Sequence, residues 1–250
     1  LNLCKLAFAK NTFLQYMTER SFDDFDAYAK DYRSIHTENV KISGVDSFYF
    51  AEMKVKWLQK FETNVPLKIL DVGCGDGITE MFMHKYFSSW LMEAIDISAQ
   101  SIDEAKNKNI HNCNFKTYGG KEIPFADNSF DVIFMAGVLH HINFNLHIDL
   151  LKEINRVLKQ DGRFYLFEHN PLNPVTRHLV NTCVFDKEAR LLKSAYTEKL
   201  LKENNFGIKK KEFIIFLPRK GVLSKLIFLE KYLKLLPLGG QYFIVANKKH

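Results

Sequence analysis

The run Ile69-Leu70-Asp71-Val72-Gly73-Cys74-Gly75-Asp76-Gly77 constrains the fold more than any other part of this 250-residue chain. An apolar stretch of strand length reaches an acid, three glycines follow within five residues, and Ile78 opens a helix-like segment. Missing side chains let the main chain turn sharply and let a ligand approach backbone N–H groups at the positive end of the helix. Spacing narrows the ligand. A dinucleotide turn of the G-x-G-x-x-G type would place its third glycine at 78, where this chain has Ile78. Asp71 narrows it further, because a carboxylate repels a pyrophosphate and attracts a cationic ligand or an ammonium group. Asp96, twenty-three residues after Gly73, ends a second apolar run where a carboxylate can accept hydrogen bonds from two ribose hydroxyls. The plain alternative is a tight β–α turn without a ligand, and the position of Asp96 argues against it.

From Pro66 onward short apolar runs alternate with helix-like segments, the signature of βαβ units and a mainly parallel sheet. The expected strands are 67–72, 91–97, 112–118, 130–137 and 162–169, with 209–218 and 241–248 as two more near the end. Leu150, Leu151, Ile154, Val157 and Leu158 fall on one helical face that would cover the sheet, and Gly162 provides a helix stop. Asp131 reads as a turn or cap residue. The first sixty residues read as a helical cap, in which Tyr28 and Tyr32 share a face. With no repeat or linker, the chain reads as one domain over 1–250: a cap (1–60), a cofactor-binding half (61–170) and a substrate-side half (171–250).

A hydrophobic content of 46% can fill a core of this size, and a net charge of +6 permits an anionic partner without demanding one. Cys4, Cys74, Cys113 and Cys183 lack the short paired spacing of a zinc cluster, so reduced thiols and no metal are expected. No run approaches the roughly 20 apolar residues of a membrane span, and LNLCKLAFAKN lacks a basic flank followed by an apolar core; a cytoplasmic location is expected.

The run ILDVGCGDG, the strand AIDIS, the segment IPFADNSFDVIFMAGVLHHI and RVLKQDGRFYLFEHNP resemble the class I S-adenosylmethionine-dependent methyltransferases, across roughly residues 47–248. The resemblance implies a Rossmann-like α/β fold, with a seven-stranded, mostly parallel sheet whose last strand is antiparallel and helices on both faces. It implies S-adenosyl-L-methionine as cofactor, with S-adenosyl-L-homocysteine as product. By the same resemblance Gly73, Cys74 and Gly75 line the methionine part, and Asp71 sits at its ammonium side. Asp96 holds the ribose, Ile97 packs on adenine, the backbone around Ala136 faces the methionine end, and Tyr32 closes from the cap. The acid that such proteins often carry before the Pro-Phe pair is replaced here by Gly119 or Gly120, which leaves adenine to backbone groups or Glu122.

Methyl transfer from a sulfonium needs an in-line nucleophile and exclusion of water, and a base only where the acceptor holds its proton. His140, His141, Glu168 and His169 cluster where the fourth and fifth strands end. Adjacent histidines on a helix diverge, so His141 is expected to act as base with Glu168 and His169, and His140 to lie on the substrate side. Arg177 offers a site for an anionic substrate group. The stretch 224–236 reads as a basic amphipathic helix whose Phe228, Leu229, Tyr232, Leu233 and Leu236 pack on the sheet or contact a lipid or membrane surface. A small-molecule acceptor is expected: a sugar, a lipid-linked compound or a secondary metabolite. A nucleic-acid methyltransferase is disfavoured because MAGVLHHI lacks an N-P-P-Y-like run and charge is spread out. A nicotinamide oxidoreductase is disfavoured by the glycine spacing. A cofactor-binding protein without catalysis would carry the same turn.

Overall fold

The computed structural model describes residues 37–38, 44–183, 186 and 188–249. Tyr28, Tyr32 and most of the cap lie outside them. The described chain begins with α1 (Ser47–Leu58), whose cap Asp46 accepts a hydrogen bond from Tyr49 N at 3.0 Å. Strands and helices then alternate: β1 (Lys68–Val72), α2 (Ile78–Tyr86), β2 (Leu91–Asp96), α3 (Ala99–Asn107), β3 (Cys113–Thr117) and β4 (Phe130–Ala136). Two 3₁₀ turns, Leu139–His141 and Phe144–Leu146, lead into α4 (His147–Val157) and β5 (Leu158–His169). The chain closes with α5 (Pro174–Thr182), α6 (Ser194–Glu203), β6 (Phe206–Ile214), a 3₁₀ segment Val222–Leu229, α7 (Glu230–Leu233) and β7 (Gln241–Lys248).

The seven strands form one sheet in the order β3-β2-β1-β4-β5-β7-β6, in which only β7 runs antiparallel to its neighbours. β4 shows why both faces are covered. Apart from Asp131 its run is apolar, and successive side chains alternate between two cores, Ile133 and Met135 into one, Val132 and Phe134 into the other. Each such fully buried side chain contributes roughly 1.5–3 kcal/mol. Strand order reverses between β1 and β4, and the carboxyl ends there form the crevice in which open α/β sheets bind ligands.

Three expectations change. α4 ends at Val157, and β5 begins at once with Leu158 rather than at Gly162. The ladder to β4 jumps from Leu158 to Arg163, so 159–162 bulge out; Gly162 folds back so tightly that a Cβ would come within 2.5 Å of Leu158 Cδ1. Asp131 is a staple rather than a cap: it accepts from Lys68 N at 2.9 Å and from Lys159 Nζ at 2.8 Å.

The third change concerns 224–236. No single amphipathic helix forms there, only the 3₁₀ segment and the four-residue α7. The acid faces inward: Glu230 Oε1 accepts from the backbone of Phe216 and Leu217, each at 2.9 Å, and the carboxylate accepts from Arg219 Nη1 and Nη2, each at 3.0 Å. The apolar side chains point outward, with Tyr232 72% and Leu235 82% exposed. Pairing a buried guanidinium with its carboxylate leaves the greasy face without a core to enter. Among the described residues, no helix is long and apolar enough to cross a membrane.

Candidate active site

The loop after β1 is built by its three glycines, all at positive φ, in different ways. At Gly73 (φ 82°) a Cβ would sit 2.3 Å from Val138 Cγ2, and at Gly77 (φ 77°) 2.9 Å from Ala105 Cβ and Phe115. Both glycines let chain segments touch. Gly75 (φ 54°) would meet nothing within 4 Å, so it alone of the three faces open space. The loop hangs on β2: Gly73 N and Cys74 N donate to Ile95 O at 2.8 and 3.2 Å, and Gly75 N donates to Asp96 Oδ2 at 2.8 Å. The other oxygen of Asp96 accepts from Ser98 N at 2.9 Å. Half-buried Ile97 follows directly. Cys74 packs its thiol among Ala94, Ile102, Ala105 and Phe115, so any ligand contact it makes runs through its main chain.

Asp71 does not stand alone. Its carboxyl meets that of Glu80 behind the loop, and Asp71 Oδ1 and both Glu80 oxygens find no donor in the protein. A hydrogen bond between two carboxyls requires a proton on one of them. Burial pushes both groups up, Asp71 to about 7, with the charge of Asp96 adding to the rise of Asp71 and the charge of Asp71 to that of Glu80, while the hydrogen bond from Glu80 holds Asp71 back. Glu80 lies in the first turn of α2, where an acid usually meets water; here it is 0% exposed. The cap Gly77 supplies no side chain to the helix end, so the loop and the dipole of α2 face the crevice together. Glu80 was missed by sequence reasoning. Its only signal was an acid in a first helical turn nine residues after Asp71, which normally marks solvent exposure.

At the ends of β4 and β5 a second polar group assembles. Gly137 N donates to Phe167 O at 2.9 Å, which brings the turn after half-buried Ala136 beside Glu168 and His169. Buried Glu168 accepts from Leu139 N at 2.9 Å with one oxygen and lies 2.5 Å from His140 Nδ1 with the other. The histidines do not diverge. On a 3₁₀ turn their rings lie 4.2 Å apart, and both Nε2 atoms approach Asp186 Oδ1, His141 at 3.3 Å and His140 at 4.0 Å. His169 holds its ring 5.3 Å from that of His140, tilted by 60°. Burial holds His140 and His169 down at about 3 and lowers His141 as well, while it raises Glu168. The imidazoles are therefore neutral near pH 7.

Supporting contacts fix this turn. His147, wholly buried, meets Leu139 O and Ile142 O through Nε2, at 3.0 and 2.9 Å, and Tyr196 OH through Nδ1. Arg190 N donates to His140 O at 2.8 Å and brings in the segment that carries Asp186. Asp186 and His147 were not foreseen; Asp186 lies forty-five residues beyond His141 in an irregular stretch, with no local pattern to mark it. The asparagines of EHNPLNP serve the fold: Asn170 donates to Pro237 O and Gly239 O, and Asn173 caps α5 while donating to Leu238 O. Arg177 is exposed on α5, outside the histidine cluster. Gly119 borders open space and Glu122 is exposed.

Comparisons with known proteins agree with this architecture. Residues 69–162 match the family described as a methyltransferase domain. An uncharacterized methyltransferase, YcgJ, of Bacillus subtilis is 35% identical over 121 residues, which cover 46% of this chain and 46% of that protein. A demethylmenaquinone methyltransferase of Staphylococcus aureus is 33% identical over 117 residues, 45% of this chain and 48% of that one. The chain thus spans about half the length of these curated relatives. A solved S-adenosylmethionine-dependent methyltransferase of Thermotoga maritima, titled a possible histamine N-methyltransferase, superposes with a TM-score of 0.66 at 16% identity, over 92% of this chain and all of that one. Strand order, glycine loop and sequence match converge: residues 69–162 are similar to a methyltransferase domain, and the chain has the fold of the class I S-adenosylmethionine-dependent methyltransferases.

Proposed function

We propose that this chain transfers a methyl group from S-adenosylmethionine to a small-molecule acceptor. The observation that carries the reading is the open face at Gly75 beside Asp96, flanked by a buried carboxyl pair and a helix N-terminus. These residues fit the cofactor. Gly73 and Gly75 would hold its methionine part with backbone groups, and the Asp71–Glu80 pair would lie toward its ammonium group. Asp96 would exchange its bond to Gly75 N for the ribose hydroxyls, with Ile97 against adenine and the Ala136 backbone at the methionine end. When bound, the cofactor supplies an electrophilic methyl group on a sulfonium that departs uncharged. Tyr32, expected to close over it, belongs to the undescribed cap.

On the acceptor side His141, 3.3 Å from Asp186, would receive a proton from the acceptor. Glu168 reaches the site only through Leu139 N and His140, so it positions rather than reacts. His140 and His169 wall the site, and Arg177 would meet an anionic group at its rim. The acceptor class rests on two supports: one relative is named for demethylmenaquinone, and Asn170, next to His169, donates to Pro237 O at the edge of a greasy surface. Titration of the chain with S-adenosylhomocysteine and with NADH, followed by transfer of labelled methyl to quinol, lipid-linked sugar and nucleic-acid acceptors, tests the reading. Saturable S-adenosylhomocysteine binding with transfer to a small acceptor supports it. Binding of NADH alone, or labelling of nucleic acid alone, overturns it.

A lipid contact through 224–236 is favoured by a specific observation. Val222, Leu223, Leu226, Phe228, Leu229, Tyr232, Leu235, Leu236 and Leu238 are all exposed, with Lys225 and Lys231 among them. Apolar side chains interleaved with lysines suit an anionic bilayer surface. Co-sedimentation with vesicles of anionic lipid, but not of neutral lipid, is expected; no sedimentation with either sinks the idea.

A further inference from the structure

The histidine cluster has a second chemistry. His140, His141 and Asp186 each present one ligand atom, and these atoms all lie within 4.8 Å of one another. We propose that His140 Nε2, His141 Nε2 and an Asp186 carboxylate oxygen bind one divalent transition-metal ion of the zinc class, with a fourth position open to water or an acceptor oxygen. The site stands on this cluster alone and does not depend on the identity of the methyl acceptor.

The geometry is already close to that of a bound ion. Ligands about 2.0–2.1 Å from a tetrahedral zinc lie roughly 3.3 Å from each other. His141 Nε2 and Asp186 Oδ1 are 3.3 Å apart, and His140 Nε2 is 4.0 Å from the same oxygen. A shift of about 0.7 Å in the His140 ring brings its Nε2 to the same spacing from Asp186. Two imidazoles and one carboxylate are a borderline donor set that suits zinc, cobalt or iron better than calcium or magnesium.

What distinguishes this cluster from a chance meeting of polar side chains is the layer behind it. Metal-bound histidines typically donate their second ring N–H to a carboxylate. Buried Glu168 takes that place for His140: one oxygen lies 2.5 Å from Nδ1 while Leu139 N anchors the other at 2.9 Å, which turns Nε2 toward Asp186. His147 braces the same turn, and the Arg190–His140 backbone bond holds the incoming segment. Cys183 hydrogen-bonds the Asp186 carboxylate and orients it. With an ion in place His141 is a ligand rather than a base. An acceptor hydroxyl on the open position would then lose its proton to water because the ion lowers its pKa.

The test uses Co²⁺ as probe. The chelator-treated chain is titrated with CoCl₂ and read by visible absorption, with circular dichroism as the control for folding. One equivalent with the intense d–d bands of four-coordinate cobalt, bleached by Zn²⁺, is the expected result. Asp186→Asn and His141→Ala are each expected to weaken binding at least tenfold, and Glu168→Gln by about 10–100-fold through loss of orientation. No stoichiometric spectrum in the folded wild-type chain overturns the site. Folded Asp186→Asn and His141→Ala proteins that bind cobalt as tightly as wild type overturn it equally. If His141→Ala does not fold, His141→Gln replaces it and is read in the same way.

Discussion

The glycine loop and the histidine cluster sit on the same edge of one sheet and are made in opposite ways. Between Ile69 and Ser98 a contiguous stretch shapes a main-chain loop, and side chains matter mainly by being absent or by holding backbone N–H groups. The second region takes its groups from three separate stretches, 139–147, 168–169 and 186–190, and its chemistry lies in converging side chains. A main-chain site is set by local conformation, which nearest neighbours in sequence largely determine. A side-chain site exists only once β4 and β5 are paired and the segment after α5 is docked.

Breaking each region tests that contrast, and the largest effect is expected at Gly73. A Cβ there meets Val138 at 2.3 Å on a backbone with φ 82°, so Gly73→Val should cost about 3 kcal/mol or more and abolish S-adenosylhomocysteine binding. Gly75→Ala has room, so it should lose only about 1–2 kcal/mol of stability while still impairing binding. Chemical denaturation and calorimetric titration of both variants check the difference. Equal destabilisation would erase the distinction between a packing glycine and a ligand glycine.

Asp96→Ala comes next. Loss of its two acceptor oxygens should weaken S-adenosylhomocysteine about 10–100-fold, given roughly 1.5–3 kcal/mol for hydrogen bonds to a charged group. Unchanged affinity in the same titration would remove Asp96 from the ribose site.

Third is the carboxyl pair. Asp71 titrates near 7 when folded and near 3.8 when free, so the folded state binds more protons between those values. Its contribution to stability is complete below about pH 4 and is lost as pH rises toward 7. Glu80→Gln gives Asp71 a neutral partner and should flatten that decline, with a gain of about 1–2 kcal/mol at pH 8 relative to pH 5. Parallel denaturation curves for variant and wild type at both pH values would show that the pair shares no proton.

The smallest effect is expected on the exposed apolar face. Tyr232→Ser and Leu235→Ser should change stability by no more than about 0.5 kcal/mol, because neither side chain is packed. Vesicle binding should nevertheless fall, so sedimentation and thermal melting together separate a surface role from a structural one.

Sheet and loop were legible because period and punctuation are local. Apolar runs ended on turn residues, Ile78 excluded the dinucleotide spacing, and Asp96 fell at a strand end; the expected strands differ from the observed ones by at most one residue at each end, except that β5 begins earlier, at Leu158, and β6 spans Phe206–Ile214. Glu80, Asp186 and Glu230 were not legible in the same way. Each is an acid whose sequence context indicates solvent, and each acquires its role from a partner brought in by packing: Asp71 on the preceding strand, the histidine turn across the sheet edge, and Arg219 under the 3₁₀ segment.

By itself, the sequence determined the alternation of strands and helices, the bare turn after β1 and the kind of ligand such a turn accepts, since these follow from backbone geometry and side-chain periodicity within a few residues. Only the tertiary structure decided which carboxyls lose water and which imidazoles converge. Burial and distance set proton affinity and ligating power, and both are properties of the folded arrangement rather than of any residue alone.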